Sequence, residues 1–528
     1  MTTADPDGGD SALRRRLRVA LRRRLGIDPR ALAAFRIALG VVLLVDLALR
    51  ARNLTAFYTD AGVLPRTMLA EAYPLAARFS PHAVSGEAWA VALLFLVAAG
   101  AAVALAVGHR TRVATAVSLA LLASLQARNP LVLNAGDLLF LQLLGAGLLC
   151  PLGARWSVDA VRRRARDSRA SRSPSESAAP SGSTAAAADG RFAGPASALL
   201  LTSVVVVYVS NALVKSRGTA WPRGEAIERV FRLTYLHGPL GGLVPEWSAP
   251  LAAATYGWIA LLVASPLLIA SAVRVRAALA GTLFAAHLSM AFTLQIGVFS
   301  AVSAAGLLPF FPPFVWDRIE AAISDSIDRL RRLVDRRFVS VDSSLSPSGP
   351  AADPSPVVAA VGTVRDRAAA AAPVVAAALL VALVAWNGMA LGLVETPDPV
   401  ASVSDPTEGG WDMFAPNPPS TDALVLATAT TADGDRIDAL YGDRVARDRP
   451  PSDARGYPTA RWRKFLTLLA DDPDPDRVAP VLAHLCDRAA GHAADPDGVD
   501  SVSLSAVDVD VGDGATRVDE LGTHACAR

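Results

Sequence analysis

The chain has 528 residues, 52% hydrophobic and 19% charged, with a formal net charge of +2 and three cysteines. Ordinary soluble domains carry about 25% charged residues. The low charge and the long apolar blocks exclude a disordered chain, a secreted disulfide scaffold and an ordinary cytosolic enzyme, leaving a polytopic membrane protein with polar segments attached.

A transmembrane helix needs about 20 mostly apolar residues. In chain order such runs fall at 31–50, 88–108, 113–127, 135–153, 194–214, 250–273, 277–296, 298–316 and 372–394. The expected fold is an all-α bundle of about nine transmembrane helices with a small extracytoplasmic α+β domain at the C-terminus. The third run is short. The seventh and eighth meet through Gln295, Ile296 and Gly297, which predicts a tight turn. The arginines of the N-terminus run straight into the first apolar run with no small-residue cleavage site, so no signal peptide is expected.

Charge supplies an orientation, because cytoplasmic loops concentrate Arg and Lys. Residues 1–30 hold eight Arg against four acids, and residues 154–193 hold eight against four. Residues 396–528 hold twelve basic residues against 24 acids. The N-terminus is therefore expected inside a cell membrane and the C-terminal domain outside. Residues 1–30 read as a basic cytoplasmic segment, 31–316 as an eight-helix membrane domain and 317–371 as a cytoplasmic amphipathic helix and linker. A ninth helix follows at 372–394, then the extracytoplasmic domain at 395–528.

The linkers are compositional. Residues 168–190 are a Ser/Ala/Pro tract and 340–356 are similar. Between them, 317–338 has apolar residues at helical spacing and reads as a surface-lying amphipathic helix. In the C-terminal segment, alternating runs flank Asp433-Gly434, which predicts a hairpin. Two helical stretches follow, at 460–470 and 477–491, then a strand over 501–511. Cys486 and Cys526 both fall there, free to pair or to remain thiols; Cys150 lies at the inner end of the fourth run.

Ionisable residues within spans are costly and are functional suspects. Arg36 and Asp46 lie ten residues apart on the first run, about 15 Å along a helix, too far to pair with each other. Asp137 starts the fourth run and suits a helix cap with Asn134. His287 is a lone histidine on the seventh, either a hydrogen-bonded core residue or a reacting group. Lys215 is the sharpest signal. The chain holds only two lysines, Lys215 and Lys464, against 49 arginines. A position that needed only positive charge would hold Arg. A lysine amine can shed its proton and act as a base, and a guanidinium cannot. The alternative is an interfacial anchor. After Lys215, the residues Ala226, Ile227, Val230, Phe231 and Leu233 fit a helix lying in the outer interface, near Trp221 and Tyr235. No metal-ligand spacing appears on any run, and no nucleic-acid partner is implied, since the basic charge follows sidedness.

Several segments stand in an order that resembles a known family. They are FRIALGVVLLVDLALR with FYTDAGVLPR, NAGDLLFLQLL with RWSVDAV, VYVSNALVKSRGTAWPRGEAI, HLSMAFTLQIGVFS and GWDMFAP. The order DGDRIDAL, RWRKFLTLL, HLC then follows. The chain resembles the HTTM proteins, the membrane superfamily that contains vitamin K-dependent gamma-carboxylase. The resemblance implies a reduced naphthoquinone (menaquinol or a vitamin K-like quinol) with oxygen and carbon dioxide as co-reactants, and no metal. It implies Lys215 as the initiating base and His287 as a second catalytic group. Asn134, Asp137, Trp221, Trp411, Asp412 and Met413 fall at substrate-binding positions. The chain departs from that pattern where Ala135 follows Asn134, where Pro416 replaces a histidine, and where residues 51–87 hold no cysteine. A lumenal region that helps hold the carboxylase's protein substrate has no counterpart up to Arg528.

The function expected is quinol oxygenation in the bilayer, coupled to proton abstraction from, or carboxylation of, an unidentified acceptor. The acceptor would be an extracytoplasmic protein or peptide. The alternative is a non-catalytic membrane protein whose outer domain binds a partner.

Overall fold

The computed structural model describes residues 15–16, 19–170, 190–335, 356–402, 405–406, 411, 413–493 and 498–526. Both linker tracts fall largely outside the described residues, as do most of the N-terminal segment and Asp412.

The first half is a helical bundle. Helix α1 (Pro29–Ala51) starts where Asp28 accepts from the Arg30 amide at 2.8 Å and Pro29 fixes the first turn. It packs on α2 (Ala88–Val107), which packs on α3 (Thr111–Arg128), then α4 (Ala135–Leu148). Helix α2 is apolar on every side: Val91, Ala98 and Ala102 are buried, while Trp89, Leu93, Leu96 and Val97 are exposed. Only a lipid surrounding suits that exposed face. Helix α4 opens with a capping box. Asn134 Oδ1 accepts from the Gly136 amide at 2.8 Å and Asp137 Oδ2 from the Asn134 amide at 2.9 Å. The cap expected of this pair is present.

Beyond α5 (Val158–Ala170) come α6 (Pro195–Ser216), the short α7 (Ala226–Arg232), α8 (Ser248–Ala264), α9 (Val273–Thr293) and α10 (Phe299–Leu307). The expected tight turn between α9 and α10 holds Gly297 at φ 67°. Helix α11 (Pro313–Asp335) covers most of the expected amphipathic stretch, and α12 (Pro356–Ala390) packs against α6.

Five of these helices are long and apolar enough to cross a membrane: α1, α2, α6, α9 and residues Ala370–Ala390 of α12. A sixth counts if the pair Phe299–Phe310 and Pro313–Ser324 is one span, but that pair bends by 106°. The other apolar runs are helical yet fall short for physical reasons. Helix α4 is 14 residues long, starting only at the Asn134 cap, and α8, of 17 residues, stops just before Pro266. Helix α3 carries Arg112, Gln126 and Arg128. The run at 298–316 contains Pro309, Pro312 and Pro313, which break it.

The C-terminal part is a four-stranded antiparallel sheet in the order β2-β1-β3-β4, from β1 (Thr421–Thr431), β2 (Arg436–Asp438), β3 (Val499–Asp510) and β4 (Thr516–Ala525). The predicted hairpin turns at Gly434, φ 79°. Strand β4 was not expected: it is charged, glycine-containing and largely exposed. Helices α13 (Ala460–Asp471) and α14 (Pro475–Ala490) pack on the sheet, and a disulfide joins Cys486 to Cys526.

The start of α13 docks into the bundle. Trp462 is fully buried against Phe57, its Nε1 donating to Asn53 Oδ1 at 3.1 Å. Arg461 meets Asp46 at 2.9 Å and Asp137 at 3.4 Å. Arg50 meets Asp46 at 2.7 Å and Asp137 at 2.5 Å. The sheet therefore sits at the C-terminal end of α1. At the other end, Ile27 bridges Phe192 just before α6. Arg36 does not meet Asp46; it donates to the Trp156 carbonyl at 2.5 Å.

Candidate functional site

Helix α6 carries Tyr208, Asn211 and Lys215 on one face, since three- and four-residue steps return to the same side. That face borders a cavity of about 470 Å³ between α6, α8 and α9, closed at one end by Trp221, α7 and the Met413–Phe414 segment. The apolar side of α7, from Ile227, Val230 and Phe231, lines this cavity. These are residues that the sequence places on the apolar side of an interfacial helix, and here that side lines the cavity.

Lys215 is 2% exposed. Its Nζ donates to the Met413 carbonyl and lies 4.3 Å from the centroid of the Trp221 ring. The residues around Met413 are tied down on either side of that contact. Asn211 Nδ2 donates to the Trp411 carbonyl at 2.7 Å, and Trp221 Nε1 to the Phe414 carbonyl at 2.7 Å. Asn417 Oδ1 accepts from the amides of Thr219 and Ala220, both at 2.8 Å. Gly218 allows this approach: a Cβ there would collide with the Pro416 carbonyl. Trp411 is anchored by its Nε1 donating to Asn387 Oδ1 on α12 at 3.1 Å.

His287, on α9, lies at the far end of the cavity and is 1% exposed. Its Nε2 is 2.9 Å from the Tyr208 hydroxyl, and Trp258 and Phe299 pack edge-on against its ring. Its Nδ1 has no hydrogen-bond partner among the described residues. A buried ring nitrogen without a partner is costly, and this one belongs to a residue that lines a cavity. Tyr208 and Lys215 lie two turns apart on α6, about 10 Å. The cavity thus has a polar group at each end, with Asn211 between them on α6 and mostly apolar walls elsewhere.

Of the residues singled out by sequence, Lys215, His287, Trp221 and Met413 line this one cavity. Trp411 stands directly behind it. Asn134 and Asp137 are not among its lining residues. Asn134 borders a second cavity of about 480 Å³ with Asp46, His237, Gln295 and Arg461, and Leu294 borders both cavities. Asp137 is buried in the ion cluster at the base of α13. Tyr208, Asn211, Trp258 and Asn387 escaped the sequence reading. For Tyr208 and Asn211 a signal exists: both are polar and lie on the Lys215 face of an otherwise apolar helix. Among the described residues no group of three or more His, Cys, Asp or Glu is placed to hold a metal ion.

Comparison with protein-family models finds no match, and comparisons with curated proteins and with solved structures find none either.

Proposed function

We propose that the chain is a membrane enzyme of the HTTM type that binds a lipid-soluble quinol in the Lys215 cavity and uses Lys215 as its base. One observation carries the reading. Lys215, Trp221, His287 and Met413, chosen from sequence for this chemistry, line a single cavity. Its size and apolar walls fit a ring-bearing lipid. A polar group at each end suits a ring with an oxygen at either side.

The residues divide the work. Tyr208 and His287 hold one oxygen, and the free Nδ1 of His287 supplies a further hydrogen-bonding position. Lys215 takes the hydroxyl proton at the other end. Its contacts with a carbonyl oxygen and an indole face suit an ammonium, so it accepts a proton only after giving one up and leaving Met413. Met413 and Phe414 are thus the closure that ligand binding must loosen. The quinol, with molecular oxygen, supplies the oxidising and strongly basic chemistry. The polar cavity beyond Leu294 is the place for the acceptor, and for carbon dioxide if the acceptor is carboxylated.

The reading includes orientation. The arginine-rich end lies in the cytoplasm and the sheet domain outside, in keeping with its Cys486–Cys526 disulfide. It counts all nine apolar runs as membrane-embedded.

The test is quinone epoxide formation. Membranes carrying the protein receive a reduced naphthoquinone and oxygen, beside membranes carrying Lys215→Arg. The expected result is epoxide from the wild type and a loss of at least about 100-fold in the variant, the scale of a missing acid–base group. Equal activity in a folded Lys215→Arg protein overturns the base assignment. No epoxide from folded wild type across several quinols overturns the reaction.

A further inference from the structure

A different cavity lies at the opposite end of the bundle from the sheet. It measures about 1190 Å³ and is bordered by the start of α3, the segment after α4, and α5. Five arginines line it: Arg110 and Arg112 at the start of α3, and Arg162, Arg163 and Arg166 on α5. Arg112 and Arg166 are exposed. Asp159 is the one carboxylate in the lining. It is occupied by local backbone, accepting from the Arg110 amide at 3.0 Å and from the Thr111 amide and hydroxyl at 2.8 and 2.7 Å. It therefore leaves a strong excess of positive charge in a concave site.

The floor is of the opposite character. Cys150 and Leu152 are buried at 1% and 2% exposure, and Gly147 and Pro151 complete it. The wall continues along α3 as Val113 and Val117, 59% and 37% exposed and one turn apart. An arginine rim over an apolar floor, running into an exposed valine stripe on a bundle helix, is the complement of a molecule with an anionic head and a hydrocarbon tail. A free anion would use the rim and leave the floor and stripe empty.

We infer that this crevice binds the phosphate headgroup of an anionic phospholipid, with an acyl chain lying along Val113 and Val117. Arg112, Arg163 and Arg166 hold the phosphate; Arg163 also donates to the Gly153 carbonyl at 2.5 Å, which fixes its guanidinium at the rim. The inference is independent of the quinol reading, since the two cavities share no residue.

The experiment uses the full-length protein in a non-ionic detergent and reads the thermal-unfolding midpoint against added ligand. The probes are dioleoylphosphatidylglycerol, dioleoylphosphatidylcholine and inorganic phosphate. Phosphatidylglycerol is expected to raise the wild-type midpoint saturably, and the other two to leave it unchanged. In Arg112→Gln/Arg166→Gln the apparent affinity for phosphatidylglycerol is expected to fall at least about tenfold. Should that double variant fold poorly, Arg166→Glu serves, since it alters a single exposed side chain. An equal phosphatidylglycerol effect in wild type and variant overturns the site, and so does its absence in wild type. An equal effect of inorganic phosphate overturns the lipid assignment in favour of a free-anion site.

Discussion

His82 illustrates what burial does to one side chain. It sits in the loop between α1 and α2, 1% exposed, with Nδ1 2.7 Å from Ser124 Oγ. Burial, reinforced by the nearby guanidinium groups of Arg50 and Arg128, pushes its pKa down from 6.5 to about 4. A lowered folded-state value means that the unfolded chain binds the proton first as pH falls. The stability tied to neutral His82 is fully present above pH 6.5 and is lost as pH falls towards 4. The purified protein should therefore show a lower unfolding midpoint at pH 5 than at pH 7, and His82→Gln should flatten that dependence. An unchanged slope in a folded His82→Gln protein would remove this histidine from the account. His484, buried against the Ala61 carbonyl, is shifted in the same direction and contributes in part of the same window. Neither histidine was singled out as a titrating group by sequence: His82 lies outside the apolar runs, and His484 is one of several core positions on the amphipathic α14. Lys215 was legible for the opposite reason: a rare residue type in an arginine-rich chain stands out before any contact is known.

Elements were the most legible layer. Every apolar run is helical over most of its length, because a bilayer-length stretch without Gly/Pro clusters has few other ways to satisfy its backbone. The failures fall where a side chain overrides the run: the prolines that bend the segment after α10, the Asn134 cap that delays α4, and β4, whose exposed edge position demands no apolar pattern. The access route to the Lys215 cavity is also an element property. Helix α8 packs on α6 and α9 on α10, and the cavity fills the gap between α8 and α9. Exposed Ala254 and Gly257 on α8 and Ser289 on α9 border it, so the cavity opens on the outer surface of the bundle. A Cβ added at Gly257 meets nothing within 4 Å. Gly257→Phe should therefore fold normally and obstruct the opening. Its naphthoquinone affinity, read by quenching of Trp221 and Trp258 fluorescence, should fall at least about tenfold, the scale of losing a fitted ring contact, with Gly257→Ala near wild type. Unaltered quenching by Gly257→Phe would place the entrance elsewhere.

At the scale of the molecule, the sheet domain and the bundle are one folded unit, joined by Arg461 and Trp462. Sequence reading marked Asp46 and Asp137 because each carries a charge in an apolar run, with pairing to other helices and a helix cap with Asn134 as the structural alternatives. Their shared partner Arg461 lies 415 residues from Asp46, and no local pattern reaches that far. Once the contact is seen, the four charges account for one another: two carboxylates, Asp46 and Asp137, between two guanidiniums, Arg50 and Arg461. Arg461→Leu would leave two buried carboxylates sharing Arg50 alone. Removing one member of such a buried set costs about 3–5 kcal/mol. The expected outcome is a large fall in the unfolding midpoint and faster proteolysis of the sheet domain. A second change separates charge from packing. Arg461→Leu/Asp46→Asn removes one charge of each sign, restores the balance around Arg50 and should recover part of the loss, whereas Trp462→Ala should not be rescued by Asp46→Asn. If Arg461→Leu is as stable as wild type, the docking rests on Trp462 and its neighbours, and the ion cluster is not what holds the two parts together.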